Sequence, residues 1–187
     1  FSGKPDLSDA NREFAVNLTQ KIQVGQTLFT AWSSLPDPLL AGVLASATFD
    51  AVTLDMQHGG HSDESVLRSI GPVIQNGAHP IVRVPVGRFD MASRALDFGA
   101  EAVIAPMINT LEDAQAFAGF MKFPPLGSRS WGPTRAMAFR GMGDANSYFQ
   151  IANGETLAIA MIETMEALAI ADDILALDGT DGVFVGP

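Results

Sequence analysis

Six short runs of nearly unbroken apolar character, separated by amphipathic stretches, leave this chain few folds to choose from. They read as strands: "TLFTAWS" (27–33), "AVTLDMQ" (51–57), "PIVRVPV" (80–86), "AVIAPMIN" (102–109), "TLAIAMIE" (156–163) and "GVFVGP" (182–187). A strand with one wet face alternates apolar and polar residues. Most of these do not, as expected when both faces of a parallel sheet are covered. Helical patterns lie between them. "SDESVLRSIGPVIQNG" opens with the cap candidates Ser62 and Asp63, sets Val66, Leu67, Ile70, Val73 and Ile74 on one face, and meets Gly77. "DMASRALDFGA", "TLEDAQAFAGFMKF" and "TMEALAIADDILAL" behave similarly. Strand then helix, repeated, predicts βα units joined by right-handed crossovers.

A doubly wound open sheet and a (β/α)8 barrel both satisfy that order. Polar residues gather at the C-terminal ends of several strands: Asp55 and His58, Arg83, Asn109, Glu163. Chemistry drawn from many strand ends is the habit of the barrel. Strand spacing is about one βα unit except between 109 and 156. There a helix is followed by "FPPLGSRSWGPTRAMAFRGMGDANSY", expected to be a loop that shapes an active site. Six strands stand where a barrel has eight. The expectation is a TIM barrel of which this chain covers about six βα units. Residues 1–24 form an extension without a usable signature, and 25–187 a barrel incomplete at its C-terminus.

Composition removes several functions. The net charge of −10 and the scattered lysines and arginines disfavour nucleic acid and anionic membrane as partners. With no cysteine there are no disulfides, thiolate metal sites or cysteine nucleophiles, which suits a reducing cytoplasm. No apolar run reaches the length of a membrane span, and the first residues lack the order of a signal peptide. Schiff-base chemistry needs a lysine, and Lys4, Lys21 and Lys122 all fall away from strand ends. There is no "GxSxG" elbow and no P-loop. "GMGDAN" (141–146) has neither a preceding strand nor a third glycine.

The strand tips carry what remains. Asp55 and His58 pair an acid with a potential base: a histidine near pH 7 can move a proton, and a nearby carboxylate can orient its ring. The same two residues also describe a loop histidine with a capping aspartate. His61 completes "HGGH", but two intervening glycines do not align two rings for a metal, and His79 beside Pro80 reads as structural. Arg83 inside "IVRVP" is costly to bury unpaired. Either it answers an internal carboxylate or it faces the strand end and holds a substrate carboxylate or enolate oxygen. Glu163 either caps the next helix or binds a hard cation through oxygen. Asp97, late in a helix, is by default a surface acid.

"FDAVTLDMQHGG", "PIVRVP", "RALDFGAEAVIAPMINTLEDAQAF", "FPPLGSRSWG", "MIETMEAL" and "DGVFVGP" together resemble, in order and spacing, the HpcH/HpaI family of metal-dependent class II pyruvate aldolases over residues 25–187. The resemblance implies a (β/α)8 barrel assembled as a homo-oligomer, usually a hexamer. It implies reversible cleavage of 4-hydroxy-2-oxo acids to pyruvate, or a similar 2-oxo acid, and an aldehyde. His58 would be the base, directly or through a water. Asp55, and Asp97 from a neighbouring subunit, would raise its basicity. Arg83 would stabilise the enolate, Gly186 and Pro187 would lie against substrate, and Glu163 would bind Mg²⁺, Mn²⁺ or Co²⁺. The family's second acidic ligand would follow just after Pro187. Two positions depart from the pattern: Gln57 stands where an acid is common, and Met161 where some members place a substrate-touching glutamine. Competing expectations are a CoA-thioester lyase of the citrate lyase β-like type and a non-catalytic barrel that binds a small acid.

Overall fold

The computed structural model describes residues 16–186. A short helix, α1 (Leu18–Gln23), is capped by Asn17 and precedes β1 (Thr30–Ser33). Next comes α2 (Pro38–Ala45), where the Asp37 carboxylate accepts the N–H groups of Leu39 and Leu40 and Pro38 supplies a preset φ at the first turn. The chain continues through β2 (Ala51–Asp55), α3 (Asp63–Gln75), β3 (His79–Arg83), α4 (Asp90–Phe98), β4 (Ala102–Ala105) and α5 (Leu111–Met121). It ends with α6 (Thr134–Phe139), α7 (Ala145–Glu155), β5 (Leu157–Ile162), α8 (Met165–Ala169), α9 (Ala171–Leu175) and β6 (Gly182–Val185).

All six expected strands are present, all parallel, and they pair in the order β1 to β6 without a switch. A doubly wound sheet reverses its strand order at one point, whereas a sheet that adds each strand beside the last and curls is a barrel wall. Every residue of β2, β3 and β4 is buried, which explains their lack of alternation. Two apolar layers result. Val52, Leu54, Val82 and Val103 face outward against Val66, Ile70 and Leu96 of the helices. Ala51, Ile81, Ala102, Ile104, Leu157 and Met161 face inward and meet Leu18 of α1. The period of two therefore turns Asp55 and Arg83 into the barrel at its C-terminal end and His79 into it at the other end.

Helix α1 closes that other end. The Glu101 carboxylate accepts the Leu18 N–H at 2.8 Å and faces His79 Nδ1 at 3.1 Å. Nearby, Lys122 is 1% exposed and donates to the carbonyls of Asn153 and Thr156 and to Asp181, all just ahead of strands or at helix ends on the same side. Lys122 is thus a structural cation far from the strand tips, in keeping with the exclusion of Schiff-base chemistry.

Three local expectations need correction. Strands β2, β3, β4 and β6 end two to four residues earlier than their apolar runs suggested, and β5 one residue earlier, because the tip residues leave the sheet to form the rim. The segment 123–148 is not one open loop. It holds α6 and the start of α7, with Asp144 accepting the Ser147 N–H as a cap and Tyr148 and Ala152 buried one turn apart. These helices pack against α3, α4 and α1 and not over the strand tips: Phe139 fills the space beside Gly71 and Gly99, and Arg135 donates to the Leu67 carbonyl. The last predicted helix breaks at Ile170 into α8 and α9.

Candidate active site

Asp55 is the last residue of β2, and the sheet register sets it directly opposite Arg83. Arg83 donates through Nε to Oδ1 at 2.9 Å and through Nη2 to Oδ2 at 2.7 Å, a two-pronged pair between side chains 9% and 2% exposed. The Trp32 indole N–H, from the neighbouring strand β1, donates to Oδ2 at 3.3 Å. The guanidinium also stacks over the Trp32 ring, 4.8 Å from its centroid. Burial alone would raise the Asp55 pKa. The hydrogen bonds from Arg83, the Gln57 N–H and Trp32 outweigh it and hold the carboxyl well below the usual carboxylate range. An ionised carboxylate is therefore fixed at the rim, and Arg83 answers an internal acid through Nε and Nη2. Its Nη1 has no hydrogen bond among the described residues.

The same carboxylate organises the loop that follows. Its oxygens accept the N–H groups of Gln57 (3.0 Å), His58 (3.4 Å) and Gly59 (3.0 Å). Asp55 thus meets His58 through its backbone and not its ring, and the imidazole stands exposed at the rim. The Gln57 side-chain oxygen is enclosed without a hydrogen-bond partner among the described residues. Gly59 has no room for a side chain: a Cβ there would lie 2.5 Å from the Asp55 carbonyl and 3.0 Å from Ser34 Cα. Both neighbours are backbone and cannot swing away. Gly59→Ala is expected to cost about 1–3 kcal/mol, the usual range for forced overpacking, and to lower activity further by displacing His58. Thermal melts alongside turnover measurements check both effects.

Glu163 follows β5 at the same end of the barrel. Its Oε1 accepts the N–H of Met107, a residue in the left-handed region at φ 56°. Its neighbour Thr164 donates to Asn109 Oδ1 at 2.7 Å, so a second strand tip joins the rim. Gly186 N–H donates to the Ile162 carbonyl. A Cβ on Gly186 would sit 3.1 Å from Glu163 Cβ, so glycine lets the end of β6 pass beside this acid. Met161 is 3% exposed within the inner apolar layer beneath the rim. Among the described residues, no three of His, Asp and Glu converge closely enough to hold an ion by themselves. Glu163 is nevertheless a hard oxygen donor whose Oε2 has no hydrogen bond among the described residues, and the donor type matches Mg²⁺, Mn²⁺ or Co²⁺.

The other candidates are placed elsewhere. Asp97 lies near the end of α4, toward the floor, where its Oδ1 accepts from Arg129 Nη2 at 2.6 Å. One chain does not bring it to Asp55 or His58. Pro187 lies outside the described residues. His61 is buried between two serines, and His79 is held by Glu101. Sequence reasoning missed Trp32. The signal was present: an indole at a strand tip carries an N–H that needs a partner when half-buried.

Six parallel strands in sequential order, with charged groups at their C-terminal tips, define part of a (β/α)8 barrel, a fold whose active sites lie on that face. The chain belongs to the HpcH/HpaI aldolase/citrate lyase family, which it matches over residues 28–187. The hydroxypyruvate/pyruvate aldolase of Rhizorhabdus wittichii is 40% identical over 163 residues, covering 87% of this chain and 63% of that protein. The crystal structure of an HpcH/HpaI aldolase from Desulfitobacterium hafniense matches with a TM-score of 0.84 at 27% identity, covering 92% of this chain and 67% of the other. Citrate synthase SbnG matches with a TM-score of 0.81 at 27% identity, covering 91% and 65%. The chain spans less than two thirds of the length of the first of these relatives. Among the described residues, no helix is long and apolar enough to cross a membrane.

Proposed function

We propose that the protein is a divalent-metal-dependent aldolase that cleaves or forms 4-hydroxy-2-oxo acids from pyruvate, or a related 2-oxo acid, and an aldehyde. The observation that carries this reading is the rim itself. An Arg83 guanidinium is fixed by an ionised Asp55 with Nη1 to spare, on the same rim as an exposed His58 and a Glu163 oxygen without a partner among the described residues. The family membership supports it. A divalent cation held by Glu163, and by a second acid that the resemblance puts just after Pro187, would supply Lewis-acid polarisation of the ketone oxygen. The protein groups do the rest. Arg83 offsets negative charge growing on the 2-oxo acid, in a geometry already fixed before substrate arrives. His58 takes a proton from the methyl carbon in the forming direction, or from the C4 hydroxyl in cleavage, directly or through a water. Gly186 and Pro187, by the same resemblance, would lie against substrate. Asp97 of a neighbouring copy in a homo-oligomer would come near the base, since its own chain leaves it on the far face.

Incubating the protein with pyruvate, a short hydroxyaldehyde and Mg²⁺ or Mn²⁺ tests this. Pyruvate should be consumed, a chelator should stop the reaction, and added ion should restore it. Activity indifferent to chelator would remove the metal from the proposal. A second reading, a carbon–carbon lyase acting on a CoA thioester, is favoured by the likeness to a citrate synthase. It would be preferred if a thioester, and no aldehyde, supported turnover. The net charge of −10 argues against a polyphosphate-bearing partner.

A further inference from the structure

The proposed base sits on a loop whose rigidity comes from a residue outside the reaction. We propose that His61 is a positioning residue, a buried bridge between Ser33 at the end of β1 and Ser65 in the first turn of α3 that locks the 57–61 loop carrying His58. The catalytic part rests on the aldolase reading; the mechanical part does not.

His61 is 5% exposed, and both ring nitrogens are used: Nδ1 lies 3.1 Å from Ser65 Oγ and Nε2 3.1 Å from Ser33 Oγ. The surroundings set the direction of these bonds. Ser65 Oγ accepts the Ser62 N–H at 2.8 Å and donates to the Ser62 carbonyl at 3.1 Å, so toward the histidine it accepts. Nδ1 therefore carries the hydrogen, and Nε2 accepts from the Ser33 hydroxyl, whose other acceptor, the Leu35 carbonyl, is farther at 3.4 Å. Burial pushes the imidazole below its ordinary value, opposed by the Asp55 carboxylate, which suits a ring with one hydrogen and one lone pair. A directed chain thus runs from β1 through the loop to α3.

The loop is clamped along the same line. The Gly60 N–H donates to the Ser34 carbonyl at 2.8 Å, and the His61 N–H to the Asp55 carbonyl at 3.3 Å. Among the described residues, His58 has only its backbone N–H tied down, so its exposed ring inherits its position from these neighbours. Displacing a reacting group by about 1 Å can cost about 10²-fold in rate, enough to make such a clamp matter.

His61→Ala and the milder Ser33→Ala, in the full chain, test this with amide hydrogen exchange and steady-state kinetics. Exchange at Gly59, Gly60 and His61 should accelerate about tenfold per lost hydrogen bond, while the sheet amides of β2 to β4 keep their protection. Turnover should fall about 10- to 10²-fold with KM for pyruvate nearly unchanged, because Arg83 and Asp55 keep their pairing. Faster exchange confined to the loop supports the clamp even if the protein catalyses another reaction. Unchanged loop exchange in both variants overturns it, as does an equal acceleration across the whole sheet, the sign of a merely structural role. Loosened loop exchange with full turnover in an active aldolase overturns the positioning role.

Discussion

His58→Ala is expected to lower turnover about 10²–10⁴-fold, the worth of a positioned general base, while leaving the melting temperature within a degree or two. The two readouts separate because of where the residue sits. Its ring is exposed and its one described hydrogen bond is the backbone N–H to Asp55, which alanine keeps. Neither a cavity nor an unpaired buried group results. Aldol addition of pyruvate, followed beside a thermal melt, checks the prediction. Rates within about threefold of the parent would take His58 out of the mechanism.

Asp55→Ala should show the opposite balance, a large loss of stability together with the loss of activity. Removing one partner of a buried ion pair leaves the other charge uncompensated, at a typical cost of about 3–5 kcal/mol. Here the stranded group would be Arg83, and three loop N–H groups and the Trp32 indole would lose their acceptor as well. The pH dependence has a definite sign. The folded carboxyl titrates below its ordinary value of about 3.9, so its contribution is complete at neutral pH, fades as pH falls below about 4, and vanishes once the folded carboxyl takes up its proton. Urea unfolding at pH 7 and at pH 3 should therefore show a smaller gap between parent and variant at the lower pH. An equal gap at both would mean that Asp55 acts through packing and not through its charge.

Most of the sheet and much of the rim were legible in the sequence, because burial on both faces writes itself as unbroken apolar runs and their ends mark the barrel's mouth. Asp55, His58, Arg83 and Glu163 were found that way. What the sequence left open was direction and company. Arg83 and Asp55 are 28 positions apart, and only the parallel register makes them partners. Helices α6 and α7 were hidden by the glycines and prolines that flank them, Gly132, Pro133, Gly141 and Gly143, although Asp144 and the spacing of Tyr148 and Ala152 carried a helix signal. Asp97 could not be placed from sequence because its partner, Arg129, lies across a segment that read as an open loop.

The two ends of this barrel are wired independently. The Glu101–His79–Leu18 contacts and the Lys122 hub hold the floor without sharing a hydrogen bond with Asp55, Arg83 or the 57–61 loop. Well-separated groups with no shared partners contribute to stability nearly additively. Floor substitutions that stabilise the fold should therefore combine freely with rim substitutions that alter substrate choice. That modularity makes the floor the place to gather stability before the mouth is redesigned.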